Sequence, residues 1–530
     1  MDNKLEFNVN ISCEGDINYE STYENDIYTL SIVPNGKALL KEVSVKIPFD
    51  FEKDDRLFLN GYQSWTDVRE YGVKGRMRGL RRVPKFLVGK YHFNAYGDYD
   101  FVKYPYKKGY MHGFSYAYIR NNEDKLFIGS LDERSCFTVI IFDTTRNEIT
   151  LKADLEDLEI DDRFDALKVA FIFDEADFGY EKYFSLMGIK KREKVPLTGY
   201  TSWYNHYQDI NEKVIYNDLE ALNSFPVKMD IFQIDDGFQT AVGDWLSIDA
   251  NKFPNGMKPV ADKIKEDGFV SGIWLAPFVC EKTSLIYKNH PDWILKKDGE
   301  FVAAGCNWST QYALDIYNEE VREYLRKVFD TVVNEWGFKM LKLDFLYAAC
   351  MLPRKDKTRG RIMCEAIDFI RECAPNAIIL GCGVPLWPVF GRVEYCRIGC
   401  DMGLDWNDKL YMRAFHRERV STRNSILNSL FMRGIDGYAF GNDPDVFLLR
   451  DYNIELTDAQ KLLLAKVNAL CGTVLFTSDD VSTYDAKKKA KYKEILRCSA
   501  ATVQDVYIDG NVVTIEYLLN DQSEKMQFSI

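Results

Sequence analysis

The chain has 530 residues, with 68 Lys plus Arg against 81 Asp plus Glu, for a net charge of −13. That balance argues against nucleic-acid binding, which needs clustered cations to neutralise phosphates, and against attraction to an anionic membrane surface. Hydrophobic residues at 46% and charged residues at 28% are the mixture of a folded globular protein rather than a disordered one.

The N-terminus, MDNKLEFNVNISCEGDINYE, is acidic and lacks the apolar core of a signal peptide. No apolar run reaches the roughly 18 residues of a membrane-spanning helix. A cytoplasmic location is expected, and the 12 cysteines read as reduced thiols. None is spaced C-x-x-C, and Cys396 and Cys400, four apart, find no Cys or His pair to complete a zinc pattern. Only five histidines are available (His92, His112, His206, His290, His416), so neither a metal nor a cofactor is expected.

Residues 1 to about 180 read as strands and turns. SVKIPF, RLFLNGYQSW, KLFIGSL and CFTVIIF are β-branched and aromatic runs broken by Asn, Gly and Asp, with little helical periodicity before about Glu175. From about Leu197 short apolar strands alternate with amphipathic helices. The expected strands are 197–204, 229–236, 269–277, 338–345, 377–383, 394–400, 437–442 and 472–480. EKVIYNDLEALNSF, MKPVADKIKEDG and EEVREYLRKVFDTVVNEWG are among the helices between them. Near-continuous apolar strands separated by helices imply parallel strands buried on both faces. Eight such units over about 290 residues fit a (β/α)₈ barrel. A doubly wound open sheet is the alternative, but no G-x-G-x-x-G follows the first strand and no GxxxxGK[ST] is present. TVQDVYIDGNVVTIEYLLN, with Asp-Gly-Asn between β-rich runs, reads as a small terminal sheet.

The expected fold class is therefore multidomain α and β. A β-sandwich spans 1–180 and a (β/α)₈ barrel 181–498. A small β domain follows at 499–530, which could take in the end of the barrel's last helix.

Chemistry in such barrels gathers at the C-terminal ends of the strands. Here those ends carry Trp203 and Tyr204, Asp235 and Asp236, Trp274, Lys342 and Asp344, Cys382, and Arg397 with Asp401. Acidic residues after strands can instead cap the following helices. That reading suits Asp443, Asp479 and Asp480. It suits Asp344 less, because Phe345, Leu346 and Tyr347 follow and no helix begins at once. Eight of the nine tryptophans (203, 245, 274, 293, 308, 336, 387, 406) lie in the barrel region and the ninth is Trp65. Indole faces pack on pyranose rings while carboxylates, Lys and Arg bind hydroxyls, so the combination suits a sugar pocket. Trp293 and Trp336 read as core packing.

NGYQSW (60–65), GYTSWY (199–204), IDDGFQ (234–239) with GDW (243–245), FPNGM (253–257), GIWLAPF (272–278), HPDW (290–293), LKLDF (341–345), GCGVPLWPVFG (381–391), RIGCD (397–401) with Trp406, and NDPD (442–445) occur in that order. In these motifs the chain resembles glycoside hydrolase family 36, the melibiase-type α-galactosidases, and especially its shorter prokaryotic members. The resemblance runs over almost the whole chain.

It implies a retaining exo-α-galactosidase in which Asp344 is the nucleophile and Asp401 the general acid/base. Retention needs two carboxyls about 5–5.5 Å apart, in environments that leave one ionised and the other protonated. Lys342, two residues before Asp344 on a strand, points to the same face and would keep Asp344 anionic. Asp401 would owe a raised pKa to desolvation and to the Asp344 charge. The resemblance further implies that Asp235 and Asp236 clamp the galactose O4 and O6. Lys342, Cys382 and Arg397 would meet the other hydroxyls. Trp203, Tyr204, Trp274 and, from the β-domain, Trp65 would form the wall. Cys400, Met402-Gly403-Leu404 and GRVEY (391–395) depart from the family pattern near the acid/base. Cys400 itself reads as a small buried residue.

Three other readings compete: an α-N-acetylgalactosaminidase or galactosyl transferase on the same fold, a non-catalytic sugar-binding protein, and a metal-dependent barrel enzyme. For the second of these, the retention of both Asp344 and Asp401 is unexplained. The expected partner is a small α-galactoside, with no nucleic acid and no membrane. Homo-oligomerisation is left open.

Overall fold

The structure, a computed structural model, describes residues 5–121, 125–173, 179–410, 412 and 419–530. His416 lies outside the described residues.

The centre of the molecule is an eight-stranded parallel sheet. Its strands are β1 (Leu197–Thr201), β2 (Ile231–Ile234), β3 (Val270–Leu275), β4 (Met340–Leu343), β5 (Ile378–Gly381), β6 (Tyr395–Arg397), β7 (Gly441–Asp443) and β8 (Val474–Thr477). Each pairs with the next in chain order from β1 to β7, and β8 returns to pair with β1. Between β7 and β8 the ring is bridged by the Thr473 amide donating to the Asn442 carbonyl at 3.0 Å. β2, β4 and β8 are buried along their full length, which explains the unbroken apolar runs.

Every connection but that from β5 to β6 carries an α-helix of nine residues or more. Most of these start at a side-chain cap that occupies an otherwise orphaned N–H: Asn211, Asn318, Thr358, Ser421, Thr457 and Asp485. Between β5 and β6 there is only a 3₁₀ turn, Trp387–Val389.

The N-terminal part forms two antiparallel sheets, one of six strands and one of seven. They enclose a core that includes Leu30, Leu40, Val45, Leu57, Ile140, Phe142 and Phe171, each at most 1% exposed. This is the expected sandwich. It is not purely β, because a helix (Lys85–Tyr91) and a 3₁₀ turn (Phe93–Tyr96) interrupt it. The helix buries no residue, so its sequence lacks the apolar stripe by which helices are read. At the C-terminus the Asp-Gly-Asn turn joins Thr502–Asp509 to Val512–Leu519 as expected. A further strand, Gln522–Ser529, follows a second tight turn at Asn520-Asp521, both of positive φ.

All eight barrel strands are shorter than their expected spans, and two depart further than the rest. The first strand stops at Thr201, and Trp203–His206 is a helical turn. The seventh lies at Gly441–Asp443, later than 437–442, because Arg433–Ile435 closes a 3₁₀ turn first. In both places aromatic residues serve tertiary packing rather than a strand.

The sandwich is tied to the open end of the barrel. Ser64 donates its amide to the Val384 carbonyl at 2.9 Å, and Val68 donates its amide to the Asn428 side chain at 2.9 Å. The fully buried pair Arg359–Asp154 crosses the same seam at 3.2 Å. Gly383, at φ +56, is required here, since a Cβ would lie 2.8 Å from the Trp65 ring.

Candidate active site

A cavity of about 610 Å³ opens at the C-terminal ends of the barrel strands. Asp344, Asp401, Asp235, Asp236, Lys342, Arg397, Cys382, Trp203, Tyr204, Trp274 and Trp65 all line it. Every candidate site residue read from the sequence therefore reaches one space.

Asp235 and Asp236 sit just past the end of β2, where the chain turns at Gly237. At φ +125 that residue passes so close to Gln208 that a Cβ would lie 2.7 Å from its carbonyl oxygen. The turn lets two successive carboxylates face one cavity, which a continuing strand would forbid. Asp235 accepts from Lys342 Nζ and Gln233 Nε2, both at 2.8 Å, and from the Asp236 amide at 2.9 Å. Asp236 accepts from Gln239 at 2.6 Å, Gln208 at 2.7 Å and the Trp308 indole at 2.9 Å. Burial pushes the Asp236 carboxyl up from its ordinary value, against the pull of these three donors.

Lys342 and Asp344 both enter the cavity from β4, as their spacing requires. The ion-pair partner of Lys342 is Asp235, however, not Asp344. Asp344 accepts instead from the Trp274 indole N–H at 3.1 Å and the Phe345 amide at 2.9 Å. A 3₁₀ turn, Leu346–Cys350, does begin directly after it, with Phe345 at φ +52.

Arg397, at the end of β6, was expected to reach sugar hydroxyls. Its guanidinium is spread over three carboxylates: Nη1 to Asp401 at 2.9 Å, Nε to Asp443 at 3.1 Å and Nη2 to Asp445 at 2.9 Å. The Asp401 side chain is 50% exposed, whereas those of Asp443 and Asp445 are at most 5% exposed. Although that surface opens into the cavity, the protein enclosing it desolvates the carboxyl, and this first and then the Asp445 charge push the Asp401 pKa up to about 6. Arg397 and Lys342 pull it down, and Asp344 adds a smaller push. The neighbour that matters most is thus Asp445 rather than Asp344.

Trp274 packs between Trp245 and Trp308, with ring centroids 5.6 and 5.9 Å away. Tyr204 donates its phenol to Asp445 at 2.6 Å. Trp65, from the sandwich, donates its indole N–H to Cys382 Sγ at 3.1 Å and meets Phe345 edge-on at 5.0 Å. Cys400 is buried as expected, and the departure at Glu394 is tied up with Arg371 and the Ile379 amide. Trp293 packs in the core, with its indole N–H on Glu320, and Trp336 packs partly buried against it. Asp480 caps the turn that follows it, but Asp443 and Asp479 are not helix caps. Asp443 serves Arg397, and Asp479 accepts from the Leu449 and Arg450 amides and the Tyr484 phenol.

Several lining residues were given no place in the site from the sequence: Asp443, Asp445, Gln208, Trp308, Phe93 and Tyr96. The two aspartates carried a usable signal, an Asp-Pro-Asp directly at a strand end. Trp308, from an insertion after β3, carried only the general signal of the barrel tryptophans, and Phe93 and Tyr96 carried none, because they come from the helical interruption of the sandwich.

A parallel barrel whose strand ends gather six aspartates, one lysine, one arginine and several indoles around one cavity has the make-up of a carbohydrate-binding pocket. Residues 190–361 match the Melibiase family model. α-Galactosidase Mel36A of Lactobacillus acidophilus is 26% identical over 270 residues, covering 48% of this chain and 34% of the relative. An α-galactosidase of Escherichia coli is 31% identical over 192 residues, covering 34% of this chain and 26% of the relative. The chain thus matches about a third or less of the length of these curated relatives. The fold is that of TtGalA, the Thermus thermophilus α-galactosidase solved with p-nitrophenyl α-D-galactopyranoside. The two share a TM-score of 0.74 and 24% identity over 96% of this chain and 98% of that one. The family-36 α-galactosidase AgaA of Geobacillus stearothermophilus gives a TM-score of 0.64 at 14% identity, over 98% of this chain and 74% of that one.

Proposed function

We propose that the protein is a retaining exo-α-galactosidase that releases terminal α-D-galactosyl residues from small oligosaccharides. Asp344 attacks the anomeric carbon while Asp401 gives its proton to the departing glycosidic oxygen. The product of this step is a galactosyl ester of Asp344. Asp401, now a carboxylate, takes a proton from water, the hydroxide opens the ester, and α-galactose leaves. The observation that carries the reading is that Asp344 and Asp401 reach one cavity from different strands, in surroundings that treat the two carboxyls differently. Trp274 and Phe345 aim the Asp344 carboxylate, and a pKa of about 6 leaves Asp401 able to give and take a proton near neutral pH. The names of the relatives, α-galactosidases throughout, support the same substrate.

Asp235 and Asp236 are proposed to hold galactose hydroxyls, with Lys342 fixing Asp235. Trp203, Tyr204, Trp274 and Trp65 form the wall. Galactose is favoured over N-acetylgalactosamine because the relatives are named α-galactosidases. All twelve cysteines are free thiols, which suits the proposed cytoplasmic location. No described helix is long and apolar enough to cross a membrane. The division 1–180, 181–498 and 499–530 is retained as the domain scheme.

The test is hydrolysis of p-nitrophenyl glycosides, with EDTA present, by purified protein. A clear preference for the α-galactoside is expected, and α-galactose should be the first anomer seen by proton NMR. β-Galactose first would refute retention. Preference for the N-acetyl sugar would replace the substrate. No hydrolysis of any glycoside would favour a binding protein.

A further inference from the structure

The side of the cavity formed by β6 and β7 holds three carboxylates against one guanidinium. The donors around them are not evenly shared. The Asp445 oxygen that does not face Arg397 accepts from the Tyr204 phenol at 2.6 Å and from the Met402 amide at 2.7 Å. The corresponding oxygen of Asp443 accepts from the Asp445 amide at 2.9 Å. Among the described residues Asp401 receives Arg397 alone, and it is the member that opens into the cavity. Met402 follows Asp401 directly, so its bond to Asp445 fixes the peptide that carries the Asp401 side chain. Asp445 itself sits at φ +76, a strained position for a residue with a side chain. Its three side-chain contacts, with Arg397, Tyr204 and Met402, hold that position.

We propose that Asp445, supported by Asp443, is a positioning residue for the acid/base. It anchors the Asp401–Met402 peptide, draws Arg397 away from exclusive pairing with Asp401, and supplies the negative charge that leaves the proton on Asp401. This rests on the reading of Asp401 as general acid/base. The other groups facing Asp401 do not substitute for it. Burial pushes the Tyr204 phenol and the Cys382 and Cys400 thiols up, so they stay neutral. Lys342 acts in the opposite sense, and Asp344 pushes the same way less strongly.

The test is Asp445→Asn, a residue type that tolerates a positive φ and retains an acceptor for the Met402 amide. Removing the charge and freeing Arg397 both lower the Asp401 pKa. Asp401 works as an acid only below its pKa, so the basic limb of kcat/KM should move to lower pH by about one unit. At pH 7 that is about a tenfold loss with a disaccharide, and well under threefold with p-nitrophenyl galactoside, whose leaving group needs little protonation. Asp443→Asn should shift the limb in the same direction by less. A uniform loss at every pH with both leaving groups would make Asp445 a mere buttress and overturn the proposal. A readout free of activity separates this from the functional reading. In protein labelled with carboxyl-¹³C aspartate, the Asp401 resonance, identified by its loss in Asp401→Asn, should titrate at lower pH in Asp445→Asn. An unmoved midpoint refutes the proposal even if the protein is an active galactosidase. A moved midpoint in a protein that cleaves no galactoside sustains the electrostatic coupling and sinks only the catalytic reading.

Discussion

The end of β4 and the end of β6 each deliver one aspartate to the same cavity, and they surround it in opposite ways. Asp344 is 9% exposed and meets two neutral N–H donors, the Trp274 indole and the Phe345 amide. Asp401 is half exposed, shares a single guanidinium with two other carboxylates, and has its pKa raised to about 6. One side chain is aimed by dipoles, and the other is left short of positive charge. A displacement that needs a fixed nucleophile and a proton carrier asks for that division, and one residue type can fill both proposed roles because the environment sets the behaviour.

The comparison breaks most sharply at Asp344. Asp344→Ala should lower kcat on any α-galactoside by about 10⁴-fold or more while the thermal midpoint changes little. Azide added to this variant should form the β-galactosyl azide. Ordinary turnover would end the nucleophile assignment. Asp401→Ala should lose about 10²- to 10⁴-fold with disaccharides and far less with p-nitrophenyl galactoside. Equal losses on both substrates would remove the acid role.

Lys342→Met tests whether the lysine serves Asp235, as the 2.8 Å pair indicates. It leaves a buried carboxylate unpaired and should cost about 3 kcal/mol of stability by denaturant unfolding. Adding Asp235→Asn should restore most of that stability without restoring activity. If the double variant is as unstable as the single, the pair is not the reason Lys342 is there. The pH profile comes next in size. Asp401 must hold its proton, so kcat/KM should fall as pH rises through about 6. A basic limb far above that value would mean that Asp445 and burial are overruled. The smallest effect is expected at Trp65, whose indole reaches over Cys382 from the sandwich. Trp65→Phe should raise KM about threefold to tenfold with kcat nearly unchanged, since one hydrogen bond and part of one wall are lost. No change in KM would mean that the sandwich does not complete the pocket.

Much of this was legible in the sequence. The unbroken apolar runs of the barrel strands, separated by amphipathic segments with capping residues, specify parallel strands covered by helices, because no other arrangement buries both faces of such a run. The motifs at the strand ends named eleven residues, and all eleven face one cavity. Spacing by two placed Lys342 with Asp344 on one face, and Gly237 allowed Asp235 and Asp236 to converge, both consequences of backbone geometry alone.

Which charge meets which was decided by the tertiary structure. Lys342 pairs with Asp235, 107 residues away, rather than with its strand neighbour Asp344. Arg397 gathers Asp443 and Asp445 from the end of the next strand, so Asp443, which reads singly as a helix cap, instead joins the surroundings of Asp401. Trp65 and Tyr96 belong to the pocket only because the sandwich seats on the barrel. Periodicity along a chain reports the face on which a side chain lies. The partner it finds there depends on distances between strands and on how a buried charge is neutralised, and neither quantity is written locally in the sequence.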